Sequence, residues 1–249
     1  MNHSFLLRVF HIANHLMLLL GVYILYTTAA YNYLWCTLAV FVCAKIIGVN
    51  VGLHRLYSHK SFKTSKFFEY VIAFWSVIAT VGSPFVYPGI HRQHHKFSDK
   101  AGDPHSPASG KVKSFVGVWN IKDIQWLTII KDLLRQPYLR FIHTYYFQLL
   151  IAYMLLLLAV DPNLVLFAYA VPACLCFWGS SSVNVFAHTW GYRTFDTNDH
   201  STNNVISSVM SLGEGWHNNH HYAPSNWNTR IKWWELDPPA IVIRLIKHD

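Results

Sequence analysis

Two long apolar stretches constrain the fold of this 249-residue chain more than any other feature. The first, Leu16–Leu53, contains Lys45 as its only charged residue, and the second, Phe141–Ala187, contains only Asp161. Each stretch exceeds the roughly 20 residues that cross a bilayer once, and each holds a turn signal near its middle. Buried helices of a soluble protein are the alternative, and the length of both stretches argues against it. We therefore predict two membrane-spanning helical hairpins.

This pattern predicts an all-α integral membrane protein with four transmembrane helices in two hairpins and one cytosolic helical cap. The whole chain, 1–249, is then a single domain. The predicted spans cover about residues 12–28, 33–52, 141–160 and 164–187, and the cap covers about residues 53–140 and 188–249. A shorter apolar segment, Val71–Val81, holds only about eleven residues, which favours a re-entrant or interfacial helix over a span.

The distribution of positive charge predicts the orientation of the spans. Residues 54–140 contain thirteen Lys or Arg against five Asp or Glu, whereas the tight turns near Tyr31 and Asp161 contain no basic residue. Because basic residues stay on the cytoplasmic side, we expect both termini and both polar regions there. The net charge of +8 fits anionic lipid head groups or a phosphorylated substrate better than nucleic acid, which we do not expect as a partner.

Histidine clusters follow the apolar stretches and predict a metal centre. Neutral imidazole is a favoured ligand for iron, zinc and copper. Positions i, i+3 and i+4 share one face of a helix, so the histidines of the second and third clusters can each converge. A further polar pair, Asn184 and His188, lies four residues apart at the end of the fourth span. The three clusters are His54-Arg-Leu-Tyr-Ser-His59, His91-Arg-Gln-His94-His95 and His217-Asn-Asn-His220-His221.

The kinds of ligand present narrow the class of metal site. A ferritin-like di-iron site needs four glutamates and two Glu-x-x-His motifs, but the chain has only Glu69, Glu214 and Glu235. The zincin motif His-Glu-x-x-His and the hydrolase motif Gly-x-Ser-x-Gly are both absent. A di-iron centre held by histidine alone is the simplest interpretation. Iron is preferred to zinc only if the chemistry is oxidative.

At these residues the chain resembles the membrane fatty acid desaturases, specifically their acyl-CoA (stearoyl-CoA, delta-9) branch, from the first hairpin to about Asn226. The resemblance implies a cytosolic cap that holds two irons, nine histidine ligands and an asparagine that binds metal through a water. It rests on the first histidine motif, on His91-Arg-Gln-His94-His95-Lys-Phe-Ser-Asp99 with Asp103-Pro104-His105, on Asn184-Val-Phe-Ala-His188, and on Gly213-Glu214-Gly215-Trp216-His217-Asn-Asn-His220-His221.

The resemblance also assigns residue roles. Asn184 is the water-mediated ligand. Asp99, Asp103 and Glu214 are candidates to accept hydrogen bonds from the ring nitrogens that do not bind metal, because ligating histidines usually donate their other N–H to a carboxylate or carbonyl. His105 is expected to support the centre or the cap. The implied direct ligands are His54, His59, His91, His94, His95, His188, His217, His220 and His221.

The function expected from the resemblance is O2-dependent desaturation of a saturated fatty acyl chain. The acyl carrier can be coenzyme A, a carrier protein or a lipid. Without a His-Pro-Gly-Gly haem motif, electrons are expected from a separate donor such as ferredoxin or cytochrome b5 with its reductase. We expect a bacterial inner membrane and not the endoplasmic reticulum, since the sequence shows no extensions around the desaturase-like region.

Two departures from the family pattern concern the substrate tunnel, and with it the regioselectivity. The chain has Ser180-Ser181-Ser182 where many members carry a tryptophan, and Gly191-Tyr-Arg-Thr-Phe where Arg-Pro-Tyr is usual. The rival functions are hydroxylation, oxidative decarboxylation or terminal desaturation on the same centre. A metal transporter is more remote, because the predicted spans hold no carboxylate at mid-membrane.

Overall fold

The computed structural model describes residues 3–248, and these are predominantly helical. Short 3₁₀ turns lie at Pro107–Ser109 and Leu133–Arg135. Two short strands, β1 (Lys63–Thr64) and β2 (Lys247–His248), pair antiparallel and attach the end of the described chain beside the first histidine motif. The helices are α1 His3–Thr28, α2 Tyr33–Ser58, α3 Lys66–Ile78, α4 Val86–Phe97, α5 Lys111–Phe115, α6 Trp126–Ile129, α7 Pro137–Thr144, α8 Tyr146–Val160, α9 Pro162–Phe186, α10 Val205–Ser211, α11 His217–Tyr222 and α12 Pro238–Ile246.

Three of these helices, α1, α2 and α9, are long and apolar enough to cross a membrane. The bent pair α7 and α8 raises the number to four if the two helices form one span. These apolar helices mark a membrane protein. The helices begin and end beyond the apolar runs, because helical hydrogen bonding continues into polar sequence. Thus α1 begins at His3, not near residue 12, and α2 ends at Ser58, not near residue 52.

The predicted helix 141–160 is interrupted in the structure. The axes of α7 and α8 differ by 69°, and the break falls at Tyr145. Contacts on both sides hold this bend. Nδ1 of His143 lies 2.7 Å from Oγ of Ser83, and Tyr146 is fully buried. Since Ser83 is distant in sequence, the bend is a tertiary effect that the apolar pattern does not predict.

Helix α2 changes its winding at its midpoint. It is α-helical to Val42 and π-helical from Cys43 to Ser58, with backbone hydrogen bonds that reach back five residues. Helix α3 packs along the π-helical half and, at 13 residues, agrees with the prediction that this segment is too short for a span. The close approach of α3 to α2 depends on Gly48, because a Cβ there would lie 2.4 Å from the carbonyl oxygen of Trp75.

We expect Gly48→Ala to destabilise the protein by about 1–3 kcal/mol, since the added methyl group overlaps the backbone of α3. Gly21→Ala in α1 is the matched control. Its Cβ would meet its nearest neighbours at 3.6 Å, and alanine favours a helix by about 1 kcal/mol over glycine. Thermal unfolding of the detergent-solubilised protein measures both. Equal melting temperatures for the two variants would contradict the close-packing interpretation.

Candidate metal centre

The nine predicted histidines lie in two clusters. In each cluster the candidate ligand nitrogens lie within 4.8 Å of one another. The first histidine cluster comprises His54, His59, His91, His95 and His220. The second histidine cluster comprises His94, His188, His217 and His221. Residues from α2, α4, the segment after α9, and α11 therefore meet at one place, although they are up to 167 positions apart in the chain.

The π-helical winding of α2 brings together the two histidines of the first motif. In an α-helix, residues five apart differ in direction by about 140°. In the structure the N–H of His59 donates to the carbonyl of His54 at 3.1 Å, and the two ring centroids are 4.9 Å apart. His54 lies within α2 and His59 directly follows it, so the first motif lies at the helix end and not beyond it.

The second and third motifs each contribute to both clusters. His91 and His95 join the first cluster, but His94 joins the second; likewise His220 separates from His217 and His221. Shared-face spacing predicts that the histidines of each motif can converge, and the structure divides each of these two motifs between the two neighbouring clusters. The i and i+4 positions of α4 face one cluster, and the adjacent i+3 position faces the other. Two neighbouring clusters are thereby built from the same short helices.

The distances between imidazole nitrogens suit a metal with five or six ligands. Two nitrogens bound at right angles to one metal at about 2.1 Å lie about 3.0 Å apart, and about 3.4 Å apart in a tetrahedral site. In the first cluster the Nε2–Nε2 distances are 3.0 Å for His54–His220, 2.7 Å for His59–His91 and 3.0 Å for His220–His95. These pairs are closer than the ligands of a tetrahedral site, and the five imidazoles of the first cluster exceed the four ligands of tetrahedral zinc.

Burial keeps six of the nine imidazoles neutral. It lowers the pKa of His91, His95 and His220 well below the ordinary value, and repulsion between neighbouring rings lowers it further. The same two causes act on the pKa of His59, and on those of His217 and His221. A neutral imidazole has one nitrogen lone pair free at pH 7, which is the form that binds a metal.

Carboxylates behind the rings orient Nε2 towards the clusters. Nδ1 of His54 lies 2.5 Å from Glu214, Nδ1 of His94 lies 2.9 Å from Asp103, and Nδ1 of His188 lies 2.8 Å from Asp99. Burial alone would raise the pKa of Asp99 and Asp103, but the histidine partners hold both below the ordinary value. Asp103 and Asp99 accept from Nδ1–H of His94 and His188, which directs Nε2 of these two rings inward.

Comparison with known proteins identifies the family of this chain. Residues 26–240 match the sequence model of the fatty acid desaturases. The chain is 37% identical over 210 residues to an sn-2 palmitoyl-lipid 9-desaturase of Nostoc, covering 81% of this chain and 73% of that one. The chain belongs to the fatty acid desaturase family.

Other relatives carry related names. An acyl-CoA 5-desaturase of Anemone leveillei is 32% identical over 244 residues, covering 94% of this chain and 76% of the relative. Delta-9 acyl-lipid desaturase 2 of Arabidopsis thaliana is 34% identical over 222 residues, covering 86% of this chain and 71% of the relative. This desaturase is accordingly an enzyme of the oxidoreductase class, as the sequence predicts. The names differ in acyl carrier and in bond position.

One residue of the desaturase site was missed by the sequence analysis. Asp199 lies 2.8 Å from Nδ1 of His221, the same relation that the other three carboxylates have to their histidines. It accepts from the backbone N–H of Ser201 at 3.0 Å and from the hydroxyl of Thr197 at 2.8 Å. Asp199 stands in an irregular loop, outside the histidine motifs, so no spacing rule identifies it.

We expect Asp199→Asn to weaken metal binding by about 10–100-fold, because His221 loses the charged acceptor that fixes its ring. Metal retained after dialysis against a chelator measures the effect. Asp196→Asn is the control, since Asp196 lies in the same loop with a fully exposed side chain, which pairs with Arg193 at 3.6 Å. Equal metal retention in both variants would show that Asp199 does not support metal binding.

Two further sets of contacts join the helices of the desaturase centre. Arg92 donates to both carboxylate oxygens of Asp132, at 2.6 and 3.0 Å, and to the carbonyls of Tyr57 and Ser58 at 2.6 and 2.9 Å. It thereby fixes α4 against the end of α2. In the third motif, buried Asn218 accepts from the backbone N–H groups of residues 194 and 195, both at 2.8 Å. This asparagine anchors the loop that contains Asp199.

An apolar cavity of about 250 Å³ extends from the first cluster of the desaturase. Its wall includes His91, Tyr87 and Ile90 of α4 and Phe177 of α9. Asn184, predicted to bind metal through a water, also lies on this wall. The ring of His105 stacks on His94 at 4.4 Å and lines the same cavity.

Proposed function

We propose that the protein desaturates a saturated fatty acyl chain in an O2-dependent reaction at a histidine-ligated di-iron centre, with the double bond at the delta-9 position. The observation that carries the proposal is that imidazole nitrogens form two neighbouring clusters, and that His91 of the first cluster lines an apolar cavity. Fatty acyl desaturation is the activity named for the relatives, and two of the three relatives above are 9-desaturases.

The nine histidines would hold two iron ions, five in the first cluster and four in the second. Asn184 would be a further ligand, through a water. Imidazole suits iron, and the short nitrogen–nitrogen distances suit five or six ligands. When bound, the irons supply the oxidising power to remove hydrogen from two adjacent methylenes, with O2 as the oxidant. Glu214, Asp103, Asp99 and Asp199 keep the rings aligned.

The chain's own part in the reaction is to position the substrate. A saturated chain has no polar group near the reacting carbons, so the apolar wall of the cavity must place them beside His91. One –CH2–CH2– unit, O2, two electrons and two protons give –CH=CH– and two waters. The electrons would come from a donor such as ferredoxin or cytochrome b5 with its reductase.

The topology belongs to the same proposal. We place four spans in the bilayer, with α7 and α8 as one bent span, and both polar regions as a cytosolic cap of a single domain 1–249. Both termini then lie in the cytoplasm, and the membrane is a bacterial inner membrane. The support is the excess of Lys and Arg in residues 54–140 and its absence from the two tight turns.

Product analysis tests the proposed function. The protein is expressed in a host with a suitable reductase, and fatty acids are profiled by gas chromatography–mass spectrometry. We expect a new monoene with the double bond at carbon 9. A hydroxylated, shortened or terminally unsaturated product would instead establish one of the rival oxidations, and metal uptake into sealed vesicles would establish a transporter.

A further inference from the structure

The cavity that reaches His91 opens at the protein surface beside α1. Arg8 of α1 and Val116 and Val118 of the loop after α5 line the cavity and are also exposed, with Val116 and Val118 at 53% and 52%. His91 and the buried His105 lie on the same cavity wall. The exposed residues therefore mark the mouth, and the histidines mark the inner end.

The surface around this mouth combines apolar and basic side chains. We call residues 111–127 the entrance segment. Val112 and Leu127 on it are 75% and 78% exposed, and its three exposed lysines are Lys111, Lys113 and Lys122. Within the described residues 3–248, none of these lysines forms an ion pair. Exposed apolar residues beside lysines are typical of a segment that lies in the head-group layer of an anionic membrane.

Arg8 adds a charge at the mouth. It is the only Lys, Arg, Asp or Glu in α1, which is otherwise apolar enough to span a membrane. Across residues 3–248 no carboxylate pairs with it. A guanidinium at this position can reach the head-group layer, and its planar donors match the oxygens of a phosphate.

We propose that the substrate is an acyl chain of a bilayer glycerophospholipid, which enters sideways from the membrane through this mouth while Arg8 holds its phosphodiester. This inference rests on the proposed function and specifies its acyl carrier. A water-soluble carrier needs no apolar rim at the mouth, whereas a chain leaving the bilayer must pass from lipid to cavity without crossing water. The exposed valines and the unpaired cations provide that path.

The test uses the full-length iron-loaded protein in nanodiscs with a reductase. Three stearoyl substrates are compared: phosphatidylglycerol, a galactolipid that lacks phosphate, and stearoyl-CoA. We expect efficient turnover of the phosphatidylglycerol and poor turnover of stearoyl-CoA. Efficient turnover of stearoyl-CoA alone would overturn this inference and leave the proposed function intact. No product from any substrate would overturn both.

The Arg8→Gln variant tests the phosphate contact. A hydrogen bond to a charged group contributes about 1.5–3 kcal/mol, so we expect the KM for phosphatidylglycerol to rise roughly tenfold or more, with kcat unchanged. Arg8→Lys should recover part of this loss, and the KM for the galactolipid should not change. Arg244→Gln is the control, since Arg244 is exposed and does not line the cavity. An unchanged KM in Arg8→Gln would overturn the assignment.

Discussion

Loss of a single histidine from either cluster is expected to remove one metal ion and all desaturase activity. His220 belongs to the first cluster and His94 to the second. We therefore expect the iron content to fall from two ions per chain to about one in both His220→Ala and His94→Ala. The proposed reaction fails in either case, because it needs both metals. Iron analysis of the purified variants and a fatty-acid profile measure the two effects.

The control separates loss of the site from loss of the fold. His248 is exposed and belongs to neither cluster, so His248→Ala should keep two irons and full activity. Mössbauer spectra add a second readout, since each variant should retain the signal of the other cluster. An active His220→Ala or His94→Ala variant, or one with two irons, would contradict the assignment of separate clusters.

Replacement of Arg55 has the second-largest expected effect. Its guanidinium is buried and lies 3.0 Å from Glu214 and 2.9 Å from Asp237, and it donates to the carbonyl of Trp227 at 2.7 Å. Burial raises the pKa of Glu214, but the attraction of Arg55 outweighs it and lowers that pKa to about 2. Arg55→Met leaves two buried carboxylates without their cation, so we expect a loss of about 3–5 kcal/mol in stability.

Arg55→Met should also disturb the metal site, because Glu214 lies 2.5 Å from Nδ1 of His54 and would lose its position. Thermal unfolding measures the stability. Adding Asp237→Asn removes one of the unpaired charges, so the double variant should be more stable than the sum of the single losses predicts. Lys60→Ala breaks an exposed ion pair with Asp132 and should cost less than about 1 kcal/mol. Equal losses in Arg55→Met and Lys60→Ala would refute this interpretation.

The sequence by itself determined the family, the membrane class and the candidate ligands. An apolar run that exceeds the bilayer thickness has few folds open to it, since every backbone polar group must be satisfied within a helix or a closed barrel. The histidine motifs are local patterns, and the structure brings all nine of their members together. Asp99, Asp103 and Glu214 likewise lie beside histidines, where the motifs place them.

The tertiary structure decided how these residues are arranged. The π-helical winding of α2, the division of each later motif between two clusters, and the bend at Tyr145 all arise where helices pack against distant segments. Asp199 reaches His221 from a loop that no periodic pattern describes. Periodicity reports the direction of side chains around one helix axis. It contains no information on the relative placement of several axes, which is set by contacts between residues far apart in the chain.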